Sequence, residues 1–281
     1  MNALELINIG AKKLRLKNIE SSRLDSELLL SKILGKKRVE ILTNLDQVIC
    51  QKNLLRYEKL IQRRSKNEPI AYIMEEKEFW SKRFFLSQDT LIPRPETELM
   101  VERLIKTFKE KKISILDIGT GSGCILICLL SELTNSKGIG IDISKKALVV
   151  AKKNSEKHNT HNNIKFFNKP LESKFSQKFD LIVSNPPYIK SNEIKNLSDD
   201  IKRYEPRIAL DGGNDGLDVI KKVIYKAKYI LKVKGTLALE IGNEQFKKVS
   251  NILLEKNFKI EHIIKDYKDN VRCIISTYIN R

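Results

Sequence analysis

Short apolar runs that alternate with helix-like segments constrain the fold of this chain more than any other feature. The runs are "ISILDI" (113–118), "GIGIDI" (138–143), "IKFF" (164–167), "FDLIVS" (179–184) and "GTLALEI" (235–241), with helix-like segments between them, notably at 144–158 and 216–231. Strands that alternate with helices through short connections form a parallel sheet covered on both faces. The sequence therefore predicts an α/β fold whose ligands bind beyond the carboxyl ends of the strands.

The first 75 residues lack this alternation and are typical of several short helices. Leu24, Leu28 and Ile33 recur at near-helical spacing, and Gly35 is placed to end their helix. A second helical face carries Leu54, Tyr57, Leu60 and Ile61. Several short helices in this length predict a small bundle. After a break at Glu68-Pro69, the mixed aromatic and polar stretch "EKEFWSKRFFLS" predicts a hairpin.

Composition narrows the class of protein. Hydrophobic residues make up 41% and charged residues 31%, as expected for a soluble globular chain. The longest strongly apolar run, 124–130, is too short to span a bilayer, and the N-terminus lacks the layout of a secretory signal. A cytoplasmic location is therefore expected.

The net charge of +18 leaves two interpretations open. A basic chain can bind nucleic acid. Residues 1–75, however, have 15 basic and 9 acidic side chains, a net charge of +6, and the remainder of the chain carries the other +12. This even distribution favours a compositional origin, so no stable nucleic-acid partner is predicted.

The cysteines and histidines do not predict a metal site. Cys124 and Cys128 are one helical turn apart in an apolar segment, which favours buried small hydrophobes. His158 and His161 have no nearby cysteine or paired carboxylates in the sequence.

A glycine loop follows the first strand of the alternating region. The sequence "ILDIGTGSGCILICLL" contains Asp117, then Gly119-Thr120-Gly121-Ser122-Gly123, then an apolar helix. Glycines in a strand–loop–helix context permit a tight turn and close approach of a ligand to the backbone. The next strand ends at Asp142, whose carboxylate can accept both hydroxyls of a ribose. These features predict a cofactor that contains adenosine.

The position of Asp117 distinguishes between two such cofactors. Dinucleotide sites prefer the pattern G-x-G-x-x-G with a pyrophosphate on the helix N-terminus, whereas this chain has D-x-G-x-G-x-G. A carboxylate repels a pyrophosphate but attracts the ammonium group of a sulfonium cofactor. The sequence therefore predicts S-adenosylmethionine.

A second loop, Asn185-Pro186-Pro187-Tyr188, ends the strand at 179–184. The prolines fix the backbone, so the Asn185 side-chain oxygen and the Pro186 carbonyl can converge on one NH₂ group. Tyr188 offers a flat face for a planar group. Two fixed acceptors favour positive charge on a planar nitrogen during methyl transfer, so Asn185 and Pro186 are the predicted catalytic residues.

Together these stretches resemble the HemK-like protein-(glutamine-N5) methyltransferases, which modify peptide chain release factors. The resemblance runs from about residue 23 to 242, and it includes "RLDSELLL", "EPIAYIMEEKEFW", "LIPRPETELMV", "ILDIGTGSGCI", "SNPPYI", "EPRIALDGGNDGLDVI" and "LALEIG". Related proteins often have glycine where this chain has Asn67 and Glu75.

The resemblance implies a helical substrate-recognition domain at 1–75, a β-hairpin linker at 76–92 and a class I, Rossmann-like methyltransferase domain at 93–281. It also implies methylation of the glutamine in a Gly-Gly-Gln loop, which modulates translation termination. The implied cofactor-binding residues are Asp117, Gly119, Thr120, Gly121, Ser122, Gly123, Asp142, Pro170 and Asn185. The implied substrate-binding residues are Asn185, Pro186, Pro187 and Tyr188.

Two other acceptors stay open at this point. A ribosomal-protein glutamine and a nucleic-acid exocyclic amine, such as adenine N6, present the same planar nitrogen. Chemistry on a duplex base requires base flipping and usually a recognition domain. Only about 75 residues lie outside the expected catalytic part, and this small size favours a protein substrate.

Overall fold

The computed structural model describes residues 1–279, which divide into two compact units. One unit comprises residues 1–76 with 198–204, and the other comprises residues 77–197 with those from 205 on. The segment 198–204 lies outside the predicted N-terminal domain, but the Tyr204 hydroxyl donates to the Lys66 carbonyl at 3.1 Å. The roles assigned to the domains stay predictions.

Helices and strands follow in an order that agrees with the sequence pattern over most of the chain. The helices are α1 (Ala3–Arg15), α2 (Ser22–Leu34), α3 (Arg38–Leu42), α4 (Gln51–Arg64), α5 (Ile70–Met74), α6 (Pro95–Phe108), α7 (Cys124–Glu132), α8 (Lys145–Lys157), α9 (Asp199–Tyr204), α10 (Asp218–Ile230) and α11 (Phe246–Glu255). The strands are β1 (Glu76–Phe79), β2 (Lys82–Phe85), β3 (Ser114–Ile118), β4 (Lys137–Asp142), β5 (Ile164–Asn168), β6 (Phe179–Ser184), β7 (Leu231–Glu240), β8 (Phe258–Lys265) and β9 (Val271–Tyr278).

Helix α2 ends at Gly35 as predicted, in the left-handed conformation with φ 65°. Its buried face differs from the predicted one, because Leu24 is exposed whereas Ser26, Leu29 and Leu30 are buried. Buried polar side chains on this face have partners. The Ser26 hydroxyl lies 2.6 Å from that of Tyr57, and Asp25 pairs with Arg64 at 2.7 Å.

The two positions where related proteins often have glycine have positive φ values in this chain. Asn67 has φ 68° and Glu75 has φ 64°, a region in which a side chain is strained and glycine is not. The backbone geometry of the stretch that follows α4 is therefore the one that glycine favours, although two other residues adopt it here.

Strands β1 and β2 form the predicted hairpin, and Trp80 and Ser81 at its turn both have φ 54°. Asn154 of α8 anchors the hairpin. Its side-chain oxygen accepts from the Phe85 N–H at 2.7 Å, and its NH₂ group donates to the Phe85 carbonyl at 3.0 Å.

The remaining strands of the described residues form one seven-stranded sheet in the order β5-β4-β3-β6-β7-β9-β8. The five strands predicted from the apolar runs are parallel, with Leu116 of β3 paired to Ile139 of β4 and Ile182 of β6. The predicted parallel sheet is confirmed for these five strands, whereas β9, which the apolar runs did not predict, is antiparallel to both β7 and β8.

Apolar side chains cover both faces of this sheet. Ile115 and Val183 pack with α6 and α7, whereas the alternate residues Leu116 and Ile182 pack with α10. The carboxyl ends of β3, β4 and β6 therefore lie along one edge between two packed layers, where polar groups can be presented on a rigid base.

Candidate active site

A cavity of about 630 Å³ lies at this edge of the sheet. We call residues 119–122 with Asp142 its cofactor wall, and residues 185–187 with Thr97 its acceptor wall. Both sets line the same cavity. The two loops predicted from sequence to act on one cofactor and one acceptor are thus brought together.

The cofactor wall is formed by a tight backbone turn. Gly119, Gly121 and Gly123 have φ values of 72°, 55° and 81°, which glycine adopts without strain. The backbone N–H groups of Gly119 and Thr120 donate to the Ile141 carbonyl at 2.9 and 3.0 Å, tying the turn to β4. Gly123 caps α7 and does not line the cavity. It packs against α7, because a Cβ at this position would lie 3.0 Å from the Ile127 Cδ1.

Asp142 closes the cofactor wall and is oriented by two backbone donors. Its Oδ2 accepts from the Gly121 N–H at 2.9 Å, and its Oδ1 accepts from the Ser144 N–H at 2.8 Å. Each carboxylate oxygen keeps a second lone pair for a ligand hydroxyl. Half-exposed Ile143, which the sequence analysis did not single out, lines the cavity beside Asp142.

Asp117 lies behind the turn, not on the cavity wall. It is 1% exposed, and its Oδ2 accepts from the Thr120 hydroxyl at 2.7 Å, while its Oδ1 has no hydrogen-bond partner among the described residues. Burial raises the pKa of Asp117 to about 7, which Thr120 partly offsets and the charge of Asp142 reinforces. A direct contact between Asp117 and a cofactor stays a prediction.

These residues fit S-adenosylmethionine. The turn exposes backbone rather than side chains, Asp142 presents acceptor lone pairs, and the orphaned Asp117 Oδ1 retains an unused acceptor beside the turn. Exposed Pro170 does not line the cavity, but its neighbours Lys169 and Leu171 do. The stretch around Pro170 therefore lies at the cavity, but Lys169 and Leu171 form the wall in place of Pro170 itself.

The acceptor wall begins where β6 ends. The Ser184 hydroxyl donates to the Ile118 carbonyl at 2.8 Å and ties the end of β6 to β3. Asn185, Pro186 and Pro187 follow on the cavity wall. No donor among the described residues contacts the Asn185 Oδ1 or the Pro186 carbonyl oxygen. Both acceptors predicted from the sequence therefore have no hydrogen-bond donor among the described residues.

Tyr188 does not line the cavity. Its hydroxyl lies 3.4 Å from the Glu240 Oε1 and accepts from Arg272 at 3.3 Å. Burial, followed by the charge of Glu240, raises the pKa of Tyr188 to about 12. Stacking of a planar group on this ring stays a prediction, since the phenol is engaged inside the protein.

A buried chain of hydrogen bonds holds the side-chain NH₂ group of Asn185. The Asn185 Nδ2 donates to the Thr97 Oγ1 at 3.5 Å, and the Thr97 hydroxyl donates to the Glu240 Oε2 at 2.5 Å. Glu240 is fully buried. Thr97 and Glu240 lie in the stretches "LIPRPETELMV" and "LALEIG", but the sequence alone predicts a role for neither residue.

Two further stretches line the cavity without having been assigned a function. Arg94, in the loop before α6, forms an ion pair at 2.6 Å with buried Glu205, which also accepts from the Ile92 N–H at 3.2 Å. The lining residues on either side of this pair are Asp89, Thr90, Leu91, Pro93 and 206–209. Arg94 and Glu205 lie in the stretches "LIPRPE" and "EPRIAL", and the resemblance of these stretches to related proteins is the only sign of this pair in the sequence.

Within residues 1–279, no helix is long and apolar enough to cross a membrane. The same residues contain no group of three His, Cys, Asp or Glu side chains arranged to hold a metal ion.

Family models match two parts of the chain. Residues 5–74 match the PrmC N-terminal domain, and residues 94–202 match the methyltransferase small domain. The second match confirms the prediction of S-adenosylmethionine as the methyl donor.

Solved structures support the predicted fold class. The hMettl16 catalytic domain, solved in complex with the MAT2A 3'UTR hairpin 6, has a TM-score of 0.56 at 16% identity, over 82% of this chain and 83% of that one. A ribosomal protein L11 methylase from Lactobacillus delbrueckii has a TM-score of 0.52 at 19% identity, over 69% and 84%. At these identities the likeness concerns the fold alone, and it confirms a Rossmann-like methyltransferase architecture.

Curated relatives are more similar in sequence. A bifunctional methyltransferase from Rickettsia typhi is 37% identical over 98% of this chain, which spans only 57% of that relative's length. Release factor glutamine methyltransferases from Buchnera aphidicola and Fusobacterium nucleatum are 40% and 39% identical, over 93% and 97% of this chain and over 94% and 78% of their own lengths. The chain therefore belongs to the release factor glutamine methyltransferase family.

Proposed function

We propose that this protein transfers a methyl group from S-adenosylmethionine to the side-chain amide nitrogen of a glutamine in peptide chain release factors. The acceptor is the glutamine of their Gly-Gly-Gln loop, and the reaction modulates translation termination. The single observation that carries this proposal is that Asn185 and Pro186, whose side-chain and carbonyl oxygens have no hydrogen-bond donor among the described residues, line the same cavity as the glycine turn.

The residues of the cofactor wall hold the methyl donor. When bound, S-adenosylmethionine supplies an electrophilic methyl group on a sulfonium sulfur. Asp142 accepts hydrogen bonds from the ribose hydroxyls, and the turn at 119–122 lets the ligand approach the backbone closely.

The acceptor wall matches a planar NH₂ group. An amide nitrogen is a poor nucleophile, because its lone pair is delocalised into the carbonyl. The Asn185 Oδ1 and the Pro186 carbonyl accept its two N–H groups, and they favour the positive charge that grows on the nitrogen as the methyl group arrives. The nitrogen–methyl bond replaces the sulfur–methyl bond, and the nitrogen then releases one of its two protons to solvent. The same contacts fix the direction of approach, a positioning effect worth up to about 7–11 kcal/mol in ideal systems.

The acceptor is assigned to a protein glutamine because of the family. Relatives that this chain covers over most of their length are named release factor glutamine methyltransferases. A ribosomal-protein glutamine and an adenine N6 amine are not favoured as acceptors. The proposed partners are release factors encountered in the cytoplasm, without a stable nucleic-acid or membrane partner.

The test is a transfer assay with labelled S-adenosylmethionine and three separate acceptors: a release factor, ribosomal proteins and DNA. We expect label on the release factor, and we expect it to disappear when the glutamine of the Gly-Gly-Gln loop is replaced by alanine. Label on DNA or ribosomal proteins alone would refute the proposed substrate.

A further inference from the structure

We propose that Glu240 and Thr97 are positioning residues that determine which way the Asn185 carboxamide faces, so that its oxygen and not its NH₂ group meets the acceptor amide. This inference rests on the proposed function and adds two residues to it. Neither residue belongs to the loop that carries Asn185. Thr97 lies in the first turn of α6, and Glu240 is the last residue of β7.

The orientation of Asn185 decides whether the site can work. The oxygen and nitrogen of a carboxamide are nearly identical in shape but opposite in hydrogen-bonding character. With Oδ1 toward the cavity, Asn185 accepts an N–H of the substrate. With Nδ2 toward the cavity, two donors face each other and the contact is lost. Packing alone does not select between these two rotamers, so a polar neighbour must do so.

Thr97 is that neighbour, and its own polarity is set by Glu240. A carboxylate only accepts hydrogen bonds, so the single Thr97 hydroxyl proton is directed to the Glu240 Oε2 at 2.5 Å. The Thr97 oxygen is then left as an acceptor only. It therefore accepts from the Asn185 Nδ2, at 3.5 Å, and the Asn185 Oδ1 is turned away from it.

On its other side, Glu240 accepts from one hydroxyl and lies near one positive charge. Its Oε1 lies 3.4 Å from the Tyr188 hydroxyl, which in turn accepts from Arg272. Burial raises the pKa of Glu240 most strongly, while Thr97 and then Arg272 lower it. The other titratable groups that interact with Glu240 electrostatically are Glu96, Cys124 and Cys273.

A buried carboxylate without a direct ion pair is a costly element for stability alone. An apolar residue of similar volume at such a position is often neutral or stabilising. The proposed function of this carboxylate is to make the Thr97 oxygen a hydrogen-bond acceptor for Asn185. Once protonated, Glu240 donates to Thr97, the Thr97 hydroxyl is released to donate to the Asn185 Oδ1, and the carboxamide can reverse.

Three substitutions test the hydrogen bonds from Glu240 through Thr97 to Asn185. The assay uses the full-length protein, release factor as acceptor and saturating S-adenosylmethionine. Glu240→Gln keeps the shape but adds a donor, Thr97→Val keeps the shape but removes the hydroxyl, and Thr97→Ser is the matched control that keeps it. We expect kcat to fall about 30-fold in the first two, the size of one hydrogen bond to a charged group, and to change less than about twofold in Thr97→Ser. The KM for S-adenosylmethionine should not change.

The pH profile separates positioning from a merely structural role. In the wild type, kcat is expected to fall on the acidic side as Glu240 takes up a proton, and Glu240→Gln should lose this limb. A slow Glu240→Gln variant with the wild-type pH profile would overturn the inference, as would a Thr97→Val variant with wild-type kcat. The wild-type profile and Thr97→Val keep the test valid if Glu240→Gln fails to fold.

An NMR measurement tests the orientation without catalysis. The Asn185 side-chain amide signal, assigned by its loss in Asn185→Ala, should shift in Glu240→Gln and Thr97→Val but not in Thr97→Ser. Unchanged signals in all three variants would overturn the inference. If the wild type fails to methylate release factor, the proposed function is wrong, whereas the NMR result still decides the orientation.

Discussion

The cofactor wall and the acceptor wall face one cavity, but their functional groups are held in different ways. On the cofactor wall, Asp142 is oriented by two backbone N–H groups, that of Gly121 in the glycine turn and that of Ser144 just after β4. On the acceptor wall, Asn185 is supported by side chains, since Thr97 lies 88 residues before it and Glu240 lies 143 residues after Thr97. Backbone support depends on local sequence, whereas side-chain support depends on the assembled sheet.

This difference predicts separate responses to mutation. Changes on the cofactor wall should alter binding of the methyl donor, because the turn and Asp142 contact the methyl donor and not the acceptor. Changes on the acceptor wall should alter turnover, because Asn185 acts on the substrate nitrogen.

The largest effect is expected for Asn185→Ala. It removes one of the two acceptors on the substrate amide, and comparable losses at other preorganised sites lower kcat by about 10²–10³-fold. Affinity for S-adenosylmethionine should remain within about twofold of wild type, since the carboxamide acts on the acceptor. Single-turnover kinetics and calorimetry measure the two quantities. Normal turnover in this variant would remove the acceptor-pair mechanism.

The next effect concerns stability, and it involves the Arg94–Glu205 ion pair, of which Arg94 lines the cavity. Arg94→Met leaves the buried Glu205 carboxylate without its ion-pair partner, and we expect the free energy of unfolding to fall by about 3 kcal/mol. The double variant Arg94→Met with Glu205→Gln should recover part of this loss, because no buried charge remains. Chemical denaturation provides both values, and an unchanged Arg94→Met variant would show that the pair is dispensable for stability.

Asp142→Ala is expected to act on the opposite wall. It removes the ribose acceptor and the partner of the Gly121 N–H, so affinity for S-adenosylmethionine should fall by about 30-fold, or about 2 kcal/mol. At saturating cofactor, kcat should recover to near the wild-type value. A variant that binds the cofactor normally but turns over slowly would contradict the separation of the two walls.

The smallest effect is a pH dependence that belongs to the cofactor side. Burial raises the folded-state pKa of Asp117 to about 7, above its ordinary value of 3.8, so the folded state holds a proton that the unfolded state has lost. The cofactor-free protein should therefore lose stability as pH rises through this window, by about 1 kcal/mol between about pH 6 and pH 8.

The control for this pH dependence is Asp117→Asn, measured by thermal denaturation at both pH values. The variant should show a flatter dependence than the wild type, because the asparagine side chain does not titrate. An equal slope in both proteins would assign the pH dependence to other groups.

Much of the architecture follows from local sequence. The five parallel strands, the hairpin and the glycine turn were predictable, because each depends on a continuous run of residues with a clear pattern. The antiparallel strands β8 and β9 were not predicted. Residues 261–263 of β8 are all exposed or half-exposed, so an alternation of buried and exposed side chains does not mark this edge strand.

The support of the site was harder to predict for the same physical reason. Asn185 and Pro186 could be identified because their loop is one continuous motif, but Glu240 gains its role only when β7 pairs with β6. In α2, polar Asp25 and Ser26 are buried while Leu24 is exposed, because Arg64 and Tyr57 of α4 supply partners that hydrophobic spacing does not reveal.

Localising the transferred methyl group tests the central claim most directly. Release factor is incubated with the purified protein and S-adenosylmethionine, and the peptide containing the Gly-Gly-Gln loop is fragmented by mass spectrometry. We predict the added mass of one methyl group on the side-chain amide of that glutamine with wild type, and none above background with Asn185→Ala. A methyl group on any other residue, or equal methylation by both proteins, would contradict the account.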